Sequence, residues 1–228
     1  MDISVLIQGP LNRISLDNLE YYKSIGPVVI SYWENDPFEF LHEYDLINCT
    51  LITKPVPSYN RYHHVSGSDT FNYQINSIFN GFSVVKTPYV IRTRSDEMWG
   101  NLSPLIEKFT KDMQKVVCGN IFFRKWSQYQ YHIGDHLFIG DTKRLLNIYQ
   151  LALDCFEKYA NERTPESIIG LAALDLAEFE RSKDNFIKIF DVIDINLLKP
   201  FVAHYRHNNQ WFRDDFNDGS CAKTIEEL

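Results

Sequence analysis

The run Ile3-Ser4-Val5-Leu6-Ile7 breaks off at Gln8-Gly9-Pro10, which reads as a buried strand ending in a turn. A helical pattern follows over residues 15–23. Gly26-Pro27 then opens a second strand, Val28-Val29-Ile30-Ser31-Tyr32-Trp33, and Cys49 to Thr53 supplies a third, stopped by Pro55 and Pro57. A strand, helix, strand, strand series leaves few architectures open. The expected fold is α/β, with a mostly parallel central sheet and helices on its faces. A chain of 228 residues can build one such domain with a sizeable core and has little room for a second, so residues 1–228 are read as a single domain.

The later elements fit that reading. Residues 57–69 form a polar stretch read as a loop, and Phe71, Ile75, Ile78, Phe79 and Phe82 then recur with helical spacing over residues 69–85. Pro88 leads into a strand over Tyr89 to Arg94 that runs straight into Ser95-Asp96-Glu97. Helices are expected over residues 103–114, 142–159 and 165–181, and strands over 116–123, 137–140 and 186–193. The net charge of −7 and pI near 5.5 exclude the basic footprint of a duplex nucleic-acid binder and of a polybasic membrane-surface protein. No apolar run approaches the ~20 residues of a membrane span, and no secretory leader is visible, so the expected location is the cytoplasm. Cys49, Cys118, Cys155 and Cys221 form no Cys-x-x-Cys pair, which suits inert thiols in a reducing compartment. The 16 Phe, 13 Tyr and 4 Trp serve the core first, and Tyr and Trp also suit the flat faces of sugars and bases.

Ligands of open α/β sheets bind beyond the carboxyl ends of the strands. Three polar endings fall there: Gln8-Gly9-Pro10, Tyr32-Trp33-Glu34 and Ser95-Asp96-Glu97. Two adjacent acids at a strand exit can hold a hard cation such as Mg2+ or Mn2+, which takes one or two carboxylates and completes its shell with phosphate oxygens and water. The same acids can instead cap a turn or helix start. Arg92 and Arg94 share one strand face, as an anion site or as structural ion pairs; Arg94, nearer the exit, is the better site candidate. Of Tyr32 and Trp33, one is expected at the site and the other in the core. Gly-x-Gly-x-x-Gly, phosphate-loop and Gly-x-Ser-x-Gly patterns are absent. His132, Asp135 and His136 are read as metal ligands or as a capped strand entry. His204 and His207 are read as ordinary packed or exposed histidines.

Ile7-Gln8-Gly9-Pro10 and Val29-Ile30-Ser31-Tyr32-Trp33-Glu34 resemble the opening of the WavE-type family of lipopolysaccharide and surface-glycan biosynthesis proteins. Asn72-Tyr73-Gln74-Ile75-Asn76-Ser77, Gly81 and Tyr89-Val90-Ile91-Arg92-Thr93-Arg94-Ser95-Asp96 are similar to its Asn-rich helix and Arg-Ser/Thr-Asp strand end. Asp135-His136-Leu137-Phe138-Ile139-Gly140 and Pro165-Glu166 resemble its later elements. The resemblance implies a GT-A-like, Rossmann-like glycosyltransferase acting on a nucleoside diphosphate sugar, with a UDP-sugar favoured and a glycan or glycoconjugate as acceptor. It puts Asp96 at an Mn2+ or Mg2+ ion, with Glu97 assisting directly or through water. Gln8, Gly9 and Pro10 then shape the nucleotide pocket, to which the second strand's exit adds Trp33 or Tyr32. Asn72 or Gln74 reaches the donor, and Asp135 and Glu166 stand on the acceptor side, where one takes the acceptor proton. No acid stands two residues before Asp96, and Tyr73 occupies the place of a basic residue in the Asn-rich helix. Readings of another class are a catalytically inactive glycan-binding or assembly protein on the same fold and a different nucleotide-dependent transferase.

Overall fold

In the computed structural model, residues 1–55, 68–155, 164–203 and 221–228 are described. The opening apolar run forms β1 (Ile3–Gln8), all six of its residues buried. Two short helices follow, α1 (Arg13–Leu16) and α2 (Leu19–Ile25), where one helix is expected from the sequence. Asn12 caps the first by accepting from the Ile14 N–H, and the chain breaks at Asp17-Asn18, whose side chains favour turns over helix interiors. Next come β2 (Val28–Trp33), β3 (Cys49–Lys54), α3 (Ser68–Phe82) and β4 (Tyr89–Arg94), close to the expected bounds. β5 (Glu97–Trp99) follows at once, then α4 (Ser103–Lys111), β6 (Val116–Gly119), β7 (Phe138–Asp141), α5 (Thr142–Asp154) and α6 (Pro165–Leu176). The described chain continues with α7 (Lys183–Ile189), β8 (Phe190–Ile193) and β9 (Pro200–Ala203).

Seven strands form one sheet in the order β3-β2-β1-β4-β7-β6-β8. β7 runs antiparallel to β4 and β6, and the other pairings are parallel. The reversal of β7 decides where the chemistry collects. Its first residue, Phe138, pairs with Arg92, so the segment entering β7 arrives at the edge where β1, β2 and β4 leave. Asp135 and His136 therefore come within the electrostatic reach of Arg94, and His136 within that of Asp96.

Each face of the sheet is covered. On one side Leu6, Val29 and Val90 pack with Ile75, Ile78 and Phe82 of α3, Tyr149 of α5, Ile168 of α6 and Phe186 of α7. On the other, Val5, Ile7, Ile30 and Ile91 pack with Tyr22 of α2, Phe109 of α4 and Trp99 of β5. Each such fully buried large side chain contributes roughly 1.5–3 kcal/mol of transfer free energy.

Two strand expectations are corrected, and one sheet is added. Strand pairing after Val116 stops at Gly119, because Asn120 turns the chain and its side chain accepts from Ile195 N–H. Residues 186–193 are not one strand: Ser182 accepts from Asn185 N–H and starts α7, which hands over to β8 only at Phe190. A second, two-stranded sheet pairs β5 with β9 antiparallel, across a hundred residues of sequence. The stretch 57–67 and His204 and His207 lie outside the described residues. Among the described residues no helix is long and apolar enough to cross a membrane.

Candidate active site

The strand exits are laced to one another. Ser95 is one knot: its N–H donates to Gln8 O at 2.9 Å, its hydroxyl to Pro10 O at 2.6 Å, and its carbonyl accepts from Ser15 N–H. Asp36 is the other, since Oδ2 accepts from the N–H groups of both Leu11 and Trp33 at 2.9 Å. Gly9 holds φ at +129°, and a Cβ there would stand 2.8 Å from Ser95 Oγ. A Gly9→Ala chain therefore pays both backbone strain and a clash at the knot, about 1–3 kcal/mol. Its melting temperature is expected to fall by about 2–12 °C for a domain of this size. An unchanged melting curve would mean that the β1 exit rearranges freely.

Register places Val90, Arg92 and Arg94 on the sheet face covered by α3 and α5, alongside Leu6 and Gln8 of β1 and Ser31 and Trp33 of β2. Arg92 is fully buried. Its Nη2 donates to Gln8 Oε1, its Nη1 to the His136 carbonyl at 3.2 Å, and its guanidinium stands over the Phe138 ring. Burial lowers the Arg92 pKa, with the Asp135 field opposing. The ion pairing expected of Arg92 is replaced among the described residues by these neutral hydrogen-bond acceptors.

Arg94 is different. Nε and Nη2 donate to the two oxygens of Asp96 at 2.8 Å each, a fork that fits the carboxylate plane. Burial alone would lower its pKa, but the hydrogen bonds and charge of Asp96 outweigh it, and Arg94 is held firmly charged. The Asp96 side chain remains 17% exposed, so this carboxylate meets solvent at the exit.

Glu97 does not. It is the first residue of β5, and alternation along that strand sends Glu97 and Trp99 inward while Met98 is only partly buried. Its side chain is 0% exposed, with Oε1 2.6 Å from His136 Nδ1 and Oε2 accepting from Thr93 Oγ1 at 3.3 Å; Trp99 Nε1 donates in turn to Thr93. Burial pushes the Glu97 carboxyl up to about 8 and pulls His136 down to about 3. Burial thus favours the neutral form of both groups at this contact. Glu97, expected beside Asp96 at a metal, thus lies behind the exit as a partner of His136.

Residues 130–136 form a strap between β6 and α6. A Cβ on Gly134 would come within 2.2 Å of the Gly119 carbonyl, and one on Gly170 of α6 within 2.1 Å of the Tyr131 carbonyl, so glycine alone permits both approaches. The strap carries His132, Asp135 and His136. Asp135 Oδ1 is 4.0 Å from His136 Nε2, and its side chain is only 5% exposed. Glu166, in the first turn of α6 after the Thr164 cap and Pro165, has a side chain 25% exposed and lies 3.5 Å from His132 Nε2. Burial raises both carboxyl pKa values, with Glu166 adding to the shift at Asp135. A helix start should lower the pKa of Glu166. Its own N–H and the Thr164 hydroxyl do oppose the shift, but desolvation wins.

The structure thus brings Gln8, Gly9, Pro10, Trp33, Arg94, Asp96, Asp135 and Glu166 to one end of the sheet. Trp33 is 6% exposed, and its neighbour Tyr32 is partly buried among the side chains of the opposite layer. Gln74, on α3, has its buried Nε2 without a hydrogen-bond partner among the described residues. Asn72 belongs to α3, but its side chain is outside the described set. Among the described residues no group of three or more His, Cys, Asp or Glu side chains is arranged to hold a metal. Sequence reasoning missed the Glu97–His136 and Glu166–His132 pairs. The one available signal was the spacing of two histidines around Asp135.

Comparison with curated proteins gives no match. Among solved structures the chain is similar to glucosyl-3-phosphoglycerate synthase from Mycobacterium tuberculosis, solved with Mn2+, uridine diphosphate and phosphoglyceric acid, at 8% identity and a TM-score of 0.43. That match covers 70% of this chain and 65% of the other, so the chain spans less than two thirds of that protein. It is also similar to 4-diphosphocytidyl-2C-methyl-D-erythritol synthase from Anaerococcus prevotii, at 12% identity, a TM-score of 0.48 and 94% coverage of each chain. A third similarity is to HddC from Yersinia pseudotuberculosis complexed with GMP-PN, at 11% identity and a TM-score of 0.38 over 63% of this chain and 77% of that one. The sequence profile described as WavE lipopolysaccharide synthesis matches residues 3–183, most of the chain. The chain belongs to the WavE lipopolysaccharide synthesis family.

Proposed function

We propose that this protein is a glycosyltransferase that moves a sugar from a nucleoside diphosphate sugar, with a UDP-sugar the first choice, to a hydroxyl of a glycan or glycoconjugate. The observation that carries the reading is the meeting, at one sheet end, of a solvent-reaching Arg94–Asp96 pair with a partly exposed carboxyl, Glu166, across the buried Asp135. Family membership supports the pathway class.

Asp96 fits a divalent cation, Mn2+ or Mg2+, as its single protein carboxylate. Its carboxylate reaches solvent at the strand exit and lies beside the Arg94 guanidinium, where a hard cation and diphosphate oxygens can share one site. When bound, such a cation supplies charge neutralisation for the departing diphosphate. Arg94 adds a fixed positive charge next to it. Gln8, Gly9, Pro10 and Trp33 shape the nucleotide pocket, and Gln74, whose Nε2 has no hydrogen-bond partner among the described residues, or Asn72 reaches the donor. Glu166 accepts the proton of the attacking hydroxyl, and Asp135 orients the sugar or acceptor.

A panel of UDP-, GDP-, dTDP- and ADP-sugars set against free nucleoside triphosphates, each with Mn2+, Mg2+ or chelator, tests the reading. One class of sugar nucleotide is expected to bind in the presence of the cation and to release its nucleoside diphosphate. Glycan binding without any turnover would instead mark a binding or assembly protein. Condensation of a nucleoside triphosphate with a sugar phosphate would mark a nucleotidyltransferase.

A further inference from the structure

We propose that His132 is the positioning residue of the base, holding Glu166 Oε2 through its Nε2–H and leaving Oε1 for the acceptor hydroxyl. The inference rests on the reading of Glu166 as the base and assigns that base a partner.

His132 Nε2 lies 3.5 Å from Glu166 Oε2, and the imidazole is 6% exposed. Its other ring nitrogen, Nδ1, is buried with no hydrogen-bond partner among the described residues. Burying an imidazole with one nitrogen unmatched and the other on a solvent-reaching carboxyl costs stability, and such exceptions in native structures call for a reason. The backbone around it is over-determined. Tyr131 holds φ at +62°, its hydroxyl donates to Arg181 O at 3.1 Å beyond the far end of α6, and Ser167 Oγ donates to Gln130 O at 3.1 Å at the near end. Both contacts fix the strap on the helix that carries Glu166. Strain kept in this way, next to a carboxyl in a cleft, is the pattern of a held functional group. Burial pulls His132 down to about 4, so the ring is neutral at working pH, and the tautomer that carries its proton on Nε2 is the one that can donate to Glu166. At His132, Asp135 and the Phe122 and Ile133 backbone favour the charged ring and Arg124 opposes it; at Glu166, its own N–H, the Thr164 hydroxyl, Arg124 and Arg94 favour the ionised carboxylate, and the Glu166 charge in turn reaches Asp135 and Tyr149.

A donor to a carboxylate favours the ionised form, so its loss raises the carboxyl pKa. The test compares His132→Leu, His132→Gln, Glu166→Gln and the double variant Glu166→Gln/His132→Leu in the full chain. Turnover is read as nucleoside diphosphate release from UDP-sugars, and Glu166 ionisation by carbon-13 carboxyl NMR, with the resonance assigned by its absence in Glu166→Gln. His132→Leu is expected to lose about thirtyfold in kcat with donor KM nearly unchanged, and to move the Glu166 midpoint and the acidic limb of the rate profile upward by about one pH unit. His132→Gln, whose amide nitrogen can stand near Nε2, is expected to restore most of the rate and return the limb towards the parent position. The double variant should be no slower than Glu166→Gln alone. If His132→Leu does not fold, His132→Asn, polar but too short to reach Glu166, carries the same expectation. A slow Glu166→Gln beside a His132→Leu with parent rate and unmoved midpoint overturns this inference alone. Parent-like turnover by Glu166→Gln, or no turnover of any UDP-sugar by the parent, overturns the base reading and this inference with it.

Discussion

An Asp96→Asn enzyme is expected to fold as the parent does, to lose the dependence of donor binding on divalent cation, and to turn over at least about a hundredfold more slowly. The substitution keeps the shape of the side chain and removes the charge that meets solvent at the β4 exit. It also strips Arg94 of its bidentate partner. The next carboxyl, Glu97, is 3.8 Å from Arg94 Nε, fully buried, and pushed by that burial toward its neutral form, so it is a poor replacement charge. Leaving a partly buried guanidinium without its counter-charge should cost about 1–3 kcal/mol of stability, which a domain of ordinary stability survives. That second effect needs its own control, because a displaced Arg94 would weaken donor binding whether or not a cation is present. Arg94→Gln supplies it: affinity should fall while the response to chelator persists. Isothermal titration of the donor with Mn2+ and with chelator separates the two variants. An Asp96→Asn enzyme that is folded, as fast as the parent and still cation-dependent would remove Asp96 from the metal role.

The strands that build this end of the sheet were legible because each is a short apolar run closed by a strong stop. Gln8-Gly9-Pro10 ends β1, Pro55 follows β3, and β4 runs from Tyr89 to Arg94 as its pattern indicates. Period-two alternation also gave the shared face of Arg92 and Arg94. What the pattern could not carry was partnership. Nothing local to Phe138–Asp141 states that it runs against β4, yet that reversal is what delivers Asp135 and His136 to the exit. Glu97 reads as an exposed turn acid until β9 is known to pair with it, and then the alternation of β5 turns it inward. Arg92 shows the same limit. Two arginines beside two acids suggest ion pairs, but Arg92 is one strand-step deeper than the acids and meets Gln8 and a carbonyl instead. The late segment 186–193 misled for a different reason. Phe186 and Ile189 serve the core as well from a short helix as from a strand, and the Ser182 cap tips the balance toward helix.

The choice between Glu166 and Asp135 as the base turns on access. A base must come within hydrogen-bond reach of the acceptor hydroxyl, and the Asp135 side chain is 5% exposed against 25% for Glu166. Asp135 is hemmed by His136 and by the fields of Arg92 and Arg94, and these settings suit a residue that holds the strap and orients a sugar. Burial raises Glu166 above the ordinary glutamate value, which improves it as a proton acceptor and sets the sign of the pH dependence. The base works ionised, so turnover should rise as pH climbs through the raised Glu166 pKa and fall away below it. Glu166→Gln is expected to keep donor affinity within about threefold and to lose turnover by two or more orders of magnitude, together with the acidic limb of the profile. Asp135→Asn should leave that limb in place, because the ionising group is still present, and lower turnover by a smaller factor with some loss of thermal stability. Parallel measurement of donor affinity, turnover against pH and melting temperature for the two variants decides the matter. If Asp135→Asn loses the limb and the turnover while Glu166→Gln stays near the parent, the roles are exchanged, and access to Asp135 must then open on donor binding.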